Sequence, residues 1–222
     1  MDWQEIYKKY GIVQKGISPI CKIALKIFKK AKINLILDLG CGTGRHALYF
    51  SKKKFTVIAT DKAKEAIKIL KEIVKKNNLK NIKVKRLDYT KKLPFKNEFF
   101  DAVIMTRTLT HHTKKEIERI IKNVSKLIKK GGFFVADFLS LKDEDYIKRR
   151  GKEIEPGTLI GLPFEEKIPH HFVSKKEVKG FFKNYLPIYF TETTEPINLS
   201  KIQKMWRKKK AGVIYFIGKK IR

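Results

Sequence analysis

The sequence predicts an α/β fold with a seven-stranded, mostly parallel sheet that carries helices on both faces. Two observations lead to this prediction. Segments with strand character alternate with segments of helical periodicity along most of the 222 residues, which is the pattern of a parallel sheet covered on both sides. A glycine-rich turn also separates the first strand from the helix after it, as nucleotide-binding α/β domains require.

Two short helices are predicted before the first strand. Trp3, Tyr7 and Tyr10 share one face of the first helix, and Ser18-Pro19 opens the second. We interpret residues 1–30 as a helical cap. For the aromatic face, core packing is favoured over the alternative, a lid that closes a site.

Five strands are predicted in the next part of the chain, at residues 33–39, 55–60, 82–87, 99–106 and 133–138. Between the second and third, apolar residues recur at helical spacing from Ala63 to Val74. A capping box at Thr113-Lys-Lys-Glu116 opens a further helix. Its apolar positions run through Ile128, and Gly131-Gly132 are expected to end it.

The regularity breaks down after the fifth strand. Residues 140–172, charged at first and then rich in glycine and proline, predict an insertion near the edge of the sheet that carries the active site. A helix opened by Ser174 and two closing strands at 188–193 and 213–217 follow, the last expected to be antiparallel. We therefore predict one domain over residues 1–222.

The charge has two interpretations. There are 52 basic and 22 acidic residues, a formal net charge of +30, and a basic surface attracts nucleic acid. Only eight of the basic residues are arginine, however, and the lysines are scattered over every predicted helix. Because nucleic-acid sites favour arginine forks, we favour a compositional origin, as in a heat-loving organism.

Cell location is inferred from cysteine and apolar content. Cys21 and Cys41 are the only cysteines and have no metal-ligand spacing, which fits a reducing cytoplasm. No run approaches the roughly 18 apolar residues of a membrane span. The first five residues show no secretion signal. We therefore expect a cytoplasmic protein without a membrane partner.

The turn after the first strand reads Asp38-Leu-Gly40-Cys-Gly42-Thr-Gly44-Arg45. The glycines allow a sharp turn and let the backbone approach a ligand where a Cβ would clash. A turn that serves packing alone is disfavoured, because other residues accompany it at the same edge of the sheet.

Acidic and polar residues follow the next three strands. Asp61 stands about 20 residues past the glycines, where Rossmann-like folds place the acid that binds ribose hydroxyls. Asp88 and Tyr89 end the third strand, where a polar group can meet an adenine edge, and Thr106 ends the fourth. Since the carboxyl ends of parallel strands form the ligand edge of such sheets, these residues predict one cofactor site.

On these residues the chain resembles the class I S-adenosylmethionine-dependent methyltransferases, from about residue 33 to residue 138. The resemblance implies a Rossmann-like fold, S-adenosylmethionine as cofactor and methyl transfer as activity. It also implies roles for the matching positions: the glycine turn backs the methionine moiety, Asp38 lies near its ammonium, Asp61 binds the ribose and Asp88 lies beside the adenine.

The C-terminal half more loosely resembles the small-molecule members of that family, the tellurite-resistance and thiopurine types. Those types carry a short segment like Pro169-His170-His171-Phe172 before their last helix. The resemblance implies a small-molecule methyl acceptor.

Two other nucleotide-binding classes fit less well. A dinucleotide dehydrogenase needs Gly or Ala as the third member of G-x-G-x-x-G/A, because helix and strand pack closely there. Arg45 stands at that position, and the spacing found is G-x-G-x-G. A phosphate-binding GK[ST] loop is absent as well. NAD is therefore not expected to bind.

Four of the five histidines form two pairs, His111-His112 and His170-His171. Both pairs are expected in loops at the ligand edge. We predict that His111 and His171 lie on the acceptor side of the cofactor, with one able to take a proton near neutral pH. Surface histidines without a role fit equally well. A metal site needs more ligands at suitable spacing, and none is predicted.

Three function classes remain. We favour methyl transfer to an N, O or S atom of a small molecule, since the residues after the fourth strand, Met105-Thr-Arg-Thr108, lack the Asn/Asp-Pro-Pro-aromatic motif of nucleic-acid amino methyltransferases. An RNA methyltransferase that uses the basic surface is the alternative. A cofactor-binding protein without catalysis is the third.

Overall fold

The computed structural model describes residues 1–163, 165–196 and 210–221. Ten strands lie in these residues: Leu35–Leu39 (β1), Thr56–Asp61 (β2), Ile82–Arg86 (β3), Phe100–Met105 (β4), Ile128–Ser140 (β5), Lys152–Glu155 (β6), Thr158–Ile160 (β7), His170–Val173 (β8), Tyr185–Pro196 (β9) and Lys210–Lys220 (β10).

Seven helices lie in the same residues: Trp3–Tyr10 (α1), Pro19–Lys30 (α2), Arg45–Lys52 (α3), Lys64–Lys76 (α4), Lys114–Ser125 (α5), Glu144–Ile147 (α6) and Lys175–Phe181 (α7). A 3-10 turn, Leu109–His111, follows β4. None of the helices in the described part of the chain is long and apolar enough to cross a membrane.

The sheet is mostly parallel, as predicted. β3, β2, β1, β4 and β5 are neighbours in that order and run parallel. β10 pairs antiparallel with β5, and β9 pairs antiparallel with β10. The predicted antiparallel final strand is thus confirmed. This order brings the carboxyl ends of β1, β2 and β4 together at one edge.

The predicted number of seven strands is wrong, because residues 140–172 add β6, β7 and most of β8 to make ten in the described ranges. β6 and β7 form an antiparallel hairpin, and β7 pairs antiparallel with β8. The turn between β6 and β7 is Pro156-Gly157, which is a usual turn signal. Both strands have only three or four residues, too few to show a clear alternation in sequence.

The position of β8 matters for the site. Leu139 and Ser140, at the carboxyl end of β5, pair with Phe172 and Val173 of β8. β10 already occupies the other edge of β5 at Leu139, so β8 continues along the edge where β4 ends. The strand that carries His170 therefore begins beside the loop that leaves β4.

Apolar side chains fill both faces of the sheet, as period-two strands require. On one face, Val135 of β5 packs with α2, α3 and α4 through residues such as Phe28 and Leu70. On the other, its neighbour Phe134 packs with α5 and α7 through residues such as Ile121. The helices on both faces hold the strands rigidly, so the loops at their carboxyl ends are well positioned.

One predicted boundary differs from the structure. The helix opened by Thr113 ends at Ser125, and Ile128 already begins β5. Gly131 and Gly132 therefore lie within the strand, at a shift in its register with β4. Gly131 has φ +75°, and a Cβ on Gly132 would meet the carbonyl oxygen of Asp101 at 2.7 Å. The two glycines let the chain bulge there, and they do not cap a helix.

Candidate active site

A cleft with about 720 Å³ of empty space opens at the carboxyl ends of β1, β2 and β4. The turn after β1 lines it on one side and the aromatic face of α1 on another. Of the ten site residues predicted from sequence, seven line the cleft: Asp38, Gly40, Gly42, Asp61, Tyr89, Thr106 and His111. Gly44, Asp88 and His171 do not.

The glycine turn is fitted closely to its surroundings. Gly40, Gly42 and Gly44 have φ of +70°, +53° and +84°, a left-handed conformation that other residues adopt only with strain. A Cβ on Gly40 would lie 2.6 Å from Cγ2 of Thr108, and one on Gly42 would lie 2.5 Å from Oη of Tyr7. Gly44 is the N-cap of α3 and packs against α4. Its role is therefore packing, while Gly40 and Gly42 face the cleft.

Asp38 presents a buried acceptor to the cleft. The residue is 2% exposed, and its Oδ2 has no hydrogen-bond partner among the residues that the structure describes. Burial raises its pKa to about 7, although the neighbouring Arg45 opposes this shift. A cationic donor in the cleft would satisfy this oxygen and favour its ionised form.

Asp61 joins the turn after β1 to the start of α4. Its Oδ2 accepts a hydrogen bond from the N–H of Gly42 and its Oδ1 one from the N–H of Ala63, both at 2.8 Å. Burial raises the pKa of Asp61, while these two bonds act in the opposite direction. The carboxylate thus supports the loops of the site as well as lining it.

Asp88 lies in an adjoining hollow with about 1180 Å³ of empty space, which shares Trp3 and Lys62 with the cleft. Its Oδ1 accepts bonds from the N–H and hydroxyl of Thr90, at 3.0 and 2.7 Å. Partial burial favours the neutral acid, but the bonds from Thr90 outweigh it and hold the pKa below its usual range. Asp88 is therefore ionised at neutral pH, next to the cleft and not inside it.

Tyr89 and Thr106 line the cleft but bond to histidines. The hydroxyl of Tyr89 lies 2.9 Å from Nε2 of His112, and that of Thr106 lies 2.8 Å from Nδ1 of His46. The N–H of Ser18 donates to Nε2 of His46 at 3.3 Å, so the proton of this neutral imidazole is on Nδ1 and is donated to Thr106. Burial lowers the pKa of His46 well below its usual value, which keeps the ring neutral.

The aromatic face of α1, here called the roof, lines the cleft through Trp3 and Tyr7. Their rings are 5.5 Å apart, and the ring of Trp3 lies 5.6 Å from that of His111. Gln4 accepts a hydrogen bond from the N–H of Glu65 at 3.2 Å, which fixes α1 to the first turn of α4. The core packing predicted for the aromatic residues is present, since Trp3, Tyr7 and Tyr10 pack against buried residues of the same segment. Trp3 and Tyr7 also line the cleft.

Arg107 and its acidic partners form an ionic group at the cleft that was not predicted from the sequence. Arg107 lines the cleft with a left-handed backbone, φ +54°. Its N–H donates to Oδ1 of Asp137 at 2.6 Å, and its guanidinium pairs with Glu195. Burial raises the pKa of Asp137, although the positive charge of Arg107 opposes this shift. The sequence did contain one signal for this group. Asp137 stands between Ala136 and Phe138 in an apolar central strand, where an acid needs an ionic or hydrogen-bonding partner.

The two predicted histidines are not brought together. His171 is buried away from the cleft, with Nδ1 2.7 Å from the hydroxyl of Thr158 and Nε2 3.4 Å from Glu177. Its neighbour His170 points the other way, and its ring lies 5.0 Å from that of His111. In β8, as in any strand, adjacent side chains lie on opposite faces. It is thus His170, and not His171, that accompanies His111.

Glu165 completes this group. Its Oε2 lies 3.0 Å from Nε2 of His170, and its Oε1 lies 3.5 Å from Nε2 of His111. Burial lowers the pKa of His111 to about 4, although Glu165 opposes the shift. The surroundings of His111 therefore favour a neutral imidazole that is a weak base. Sequence spacing gave no signal for Glu165, which lies in the irregular segment before β8.

Comparison with known proteins identifies similar chains. A family model described as a methyltransferase domain matches residues 36–132. The chain is 32% identical over 200 residues to an uncharacterized protein of Methanocaldococcus jannaschii, which covers 83% of this chain and 73% of that protein. It is 32% identical over 110 residues to the probable S-adenosyl-L-methionine-dependent methyltransferase TehB of Haemophilus influenzae, covering 50% of this chain and 36% of TehB. This chain spans only 38% of the length of each of two further curated relatives.

Solved structures share the fold. A S-adenosylmethionine-dependent methyltransferase of Methanosarcina mazei superposes with a TM-score of 0.75 at 23% identity, over 93% of this chain and 99% of that one. TehB of Haemophilus influenzae superposes with a TM-score of 0.70 at 21% identity, over 99% of this chain and 67% of that one. At these identities the likeness concerns the fold.

Proposed function

We propose that this chain, which belongs to the class I S-adenosylmethionine-dependent methyltransferases, transfers a methyl group to an N, O or S atom of a small molecule. Membership of that family makes it an enzyme with S-adenosylmethionine as its cofactor. The acceptor class is the new element of the proposal. One observation carries it: the roof of Trp3 and Tyr7 over the cleft.

The residues present fit the cofactor. Oδ2 of Asp38 has no hydrogen-bond partner among the described residues, so it suits an ammonium group. No Cβ fits at Gly40 or Gly42, so the turn brings bare backbone to the cleft, where a ligand can approach closely. Asp61 uses one lone pair of each carboxylate oxygen for Gly42 and Ala63, and each oxygen has a second one available for a ribose hydroxyl.

In this proposal the chain binds and orients. Asp38 faces the ammonium, Asp61 the ribose hydroxyls and Asp88 the adenine side, while Tyr89 and Thr106 line the space between. The cofactor supplies a methyl group that is already activated on a sulfonium, so the protein's main tasks are positioning and exclusion of water. We further propose one domain over 1–222, with residues 1–30 as cap and 140–172 as the acceptor-side wall.

The roof supports a small acceptor. The hydroxyl of Tyr7 lies close enough to Gly42 that no Cβ fits between them, and Trp3 lies against His111 at the opposite end of the same face. A cleft covered in this way excludes a helical nucleic acid. A nucleotide would have to leave its helix to enter. We therefore place the acceptor in the cleft beside the contact between Trp3 and His111.

The distribution of charge supports the same class. Two acids, Asp38 and Asp61, line the cleft together with three cations, Arg45, Lys62 and Arg107. Of these cations, Arg107 pairs with Glu195. The large net charge is thus not concentrated at the site, as a phosphate-binding channel would require.

Transfer of labelled methyl groups tests the proposal. The full chain is incubated with methyl-labelled S-adenosylmethionine and an extract of its source cells, which is then separated into small molecules and total RNA. Label is expected in the small-molecule fraction, and much less in a matched reaction with the Asp61→Ala variant at limiting S-adenosylmethionine. Label confined to RNA would support the alternative, an RNA methyltransferase. Label in neither fraction, from a chain that binds the cofactor, would contradict the proposal.

A further inference from the structure

We propose that His111, Glu165 and His170 bind one divalent transition-metal ion, with Zn²⁺ the best fit, at the acceptor-side wall of the cleft. This inference is independent of the proposed methyl acceptor, because it stands on the positions of the three side chains. One ligand atom from each residue lies within 4.8 Å of the other two. The three residues come from separate parts of the chain: the 3-10 turn after β4, the segment before β8, and β8 itself.

The distances suit such an ion. In a tetrahedral zinc site with bonds of about 2.0–2.1 Å, ligand atoms are about 3.3 Å apart. Nε2 of His170 lies 3.0 Å from Oε2 of Glu165, and Nε2 of His111 lies 3.5 Å from Oε1. Each imidazole nitrogen thus lies near the required distance from one of the two carboxylate oxygens. A bidentate carboxylate, or a rotation of the Glu165 side chain, can complete the site.

The orientation of His170 is that of a metal ligand. Its Nδ1 lies 3.0 Å from the carbonyl oxygen of Ile168, and a carbonyl can only accept, so Nδ1 carries the proton. Nε2 therefore faces the carboxylate of Glu165, with Oε2 at 3.0 Å. A proton or a metal ion in this position can join the two atoms. An Nδ1–H bonded to a backbone carbonyl is also the usual second-shell arrangement of metal-bound histidine.

Donor type and burial indicate which ion binds. Two imidazole nitrogens and one carboxylate favour zinc and its transition-metal neighbours, whereas Mg²⁺ and Ca²⁺ prefer oxygen ligands throughout. His170 and Glu165 are each 1% exposed. A bound cation would therefore be held inside the fold, where the surroundings limit access of water to it.

The bound ion would join three segments that surround the acceptor space. His111 lines the cleft and contacts Trp3 of the roof, while Glu165 and His170 belong to the wall formed by residues 140–172. Because an ion that binds only the folded chain stabilises it, zinc is expected to raise the midpoint of thermal unfolding. The effect should reach saturation at one ion per chain.

Metal binding is tested directly on the full chain without a histidine tag. After removal of metals with a chelator, Zn²⁺ is titrated in competition with a chromophoric chelator, and bound metal is counted by elemental analysis. One zinc per chain is expected, with no displacement by millimolar Mg²⁺. Glu165→Gln and His170→Asn should each weaken binding by more than about 100-fold, beyond the usual loss for outer-shell changes. His171→Asn is the matched control, and its affinity should be unchanged.

Cobalt substitution supplies a readout that does not depend on the variants. Co²⁺ in the wild-type chain should give visible d–d bands without a thiolate charge-transfer band, since Cys21 and Cys41 are not ligands. Less than one zinc per chain, a thiolate band, or unchanged affinity in folded Glu165→Gln and His170→Asn would overturn the inference. Cofactor binding by the metal-free chain, measured in parallel, shows separately whether the methyltransferase assignment holds.

Discussion

The carboxylate of Asp61 accepts a hydrogen bond from the N–H of Gly42 at 2.8 Å. The acid that ends β2 and the glycine turn that follows β1 therefore hold each other in place. Its other oxygen accepts from Ala63 at the start of α4. A residue that the sequence predicts to bind ribose thus also organises the loops around the cleft.

Replacement of Asp61 should affect both binding and stability. For Asp61→Ala we expect the dissociation constant of S-adenosylhomocysteine to rise more than tenfold, since each charge-assisted bond contributes about 1.5–3 kcal/mol. The free energy of unfolding should also fall by roughly 1–3 kcal/mol, because two backbone N–H groups lose their acceptor. Calorimetry and urea denaturation measure the two effects.

Asp61→Asn is the matched variant. Its single amide oxygen can serve only one of the two N–H groups, so its stability should lie between those of the wild type and Asp61→Ala. Cofactor binding should remain weak. An unchanged dissociation constant in either folded variant would remove Asp61 from the cofactor site.

The pH dependence of cofactor binding should depend on Asp38. Burial raises its pKa to about 7, and only the ionised form attracts an ammonium group. Affinity for S-adenosylhomocysteine is therefore expected to rise from pH 6 to pH 8. Calorimetry on Asp38→Asn should show weak binding that changes little over this range. A wild-type affinity that falls as pH rises would contradict the assignment.

Stability without cofactor should show the opposite sign. The pKa of Asp38 is about 7 in the folded chain and near 3.8 when unfolded. Between these values the folded chain holds more protons, so this residue destabilises it increasingly as pH rises. Asp38→Asn should therefore gain stability relative to the wild type between pH 5 and pH 8, as measured by urea denaturation. A difference that is constant with pH would show that Asp38 is not buried as described.

The contact between Gly42 and Tyr7 predicts coupling between the turn and the roof. Gly42→Ala should destabilise the chain by about 1–2 kcal/mol for its left-handed backbone alone, and by more because its Cβ would meet Oη of Tyr7 at 2.5 Å. In a Tyr7→Phe background, the destabilisation that comes from the contact with Oη should be smaller. A double-mutant cycle on the unfolding free energy measures this coupling. Strict additivity would mean that α1 does not rest on the turn.

The basic surface predicts weak, non-specific contact with RNA. Such contacts have dissociation constants of about 10⁻⁴–10⁻⁶ M at physiological salt and weaken steeply as salt increases. We expect this behaviour in a filter-binding titration at several salt concentrations. Cofactor affinity in the same series should change little, because Asp38 and Asp61 are buried. Tight binding to one RNA that persists at high salt would favour the alternative acceptor.

The positions of the residues predicted to bind the cofactor could be inferred because these residues follow strand ends. Asp38, Gly40, Gly42 and Asp61 each stand directly within or after a recognisable apolar strand, and the structure places all four at the cleft. Parallel topology alone brings such positions together. No contact between distant segments had to be known in advance.

The acceptor half depends on details that sequence patterns do not fix. Which of His170 and His171 faces the cleft is decided by the register of β8, since one residue reverses the face. Glu165 belongs to a segment without periodicity, and its partner His111 lies 54 positions earlier in the chain. Gly131 and Gly132 form a bulge in β5 although they read as a helix end. In each case a tertiary contact determines the outcome.

The most direct test of the account is calorimetry of the wild-type chain with S-adenosylhomocysteine and with NAD at equal concentrations. We predict saturable binding of S-adenosylhomocysteine at one site per chain. No heat is expected from NAD, because Arg45 stands where a dinucleotide-binding helix requires a small residue. Tighter binding of NAD than of S-adenosylhomocysteine would contradict it.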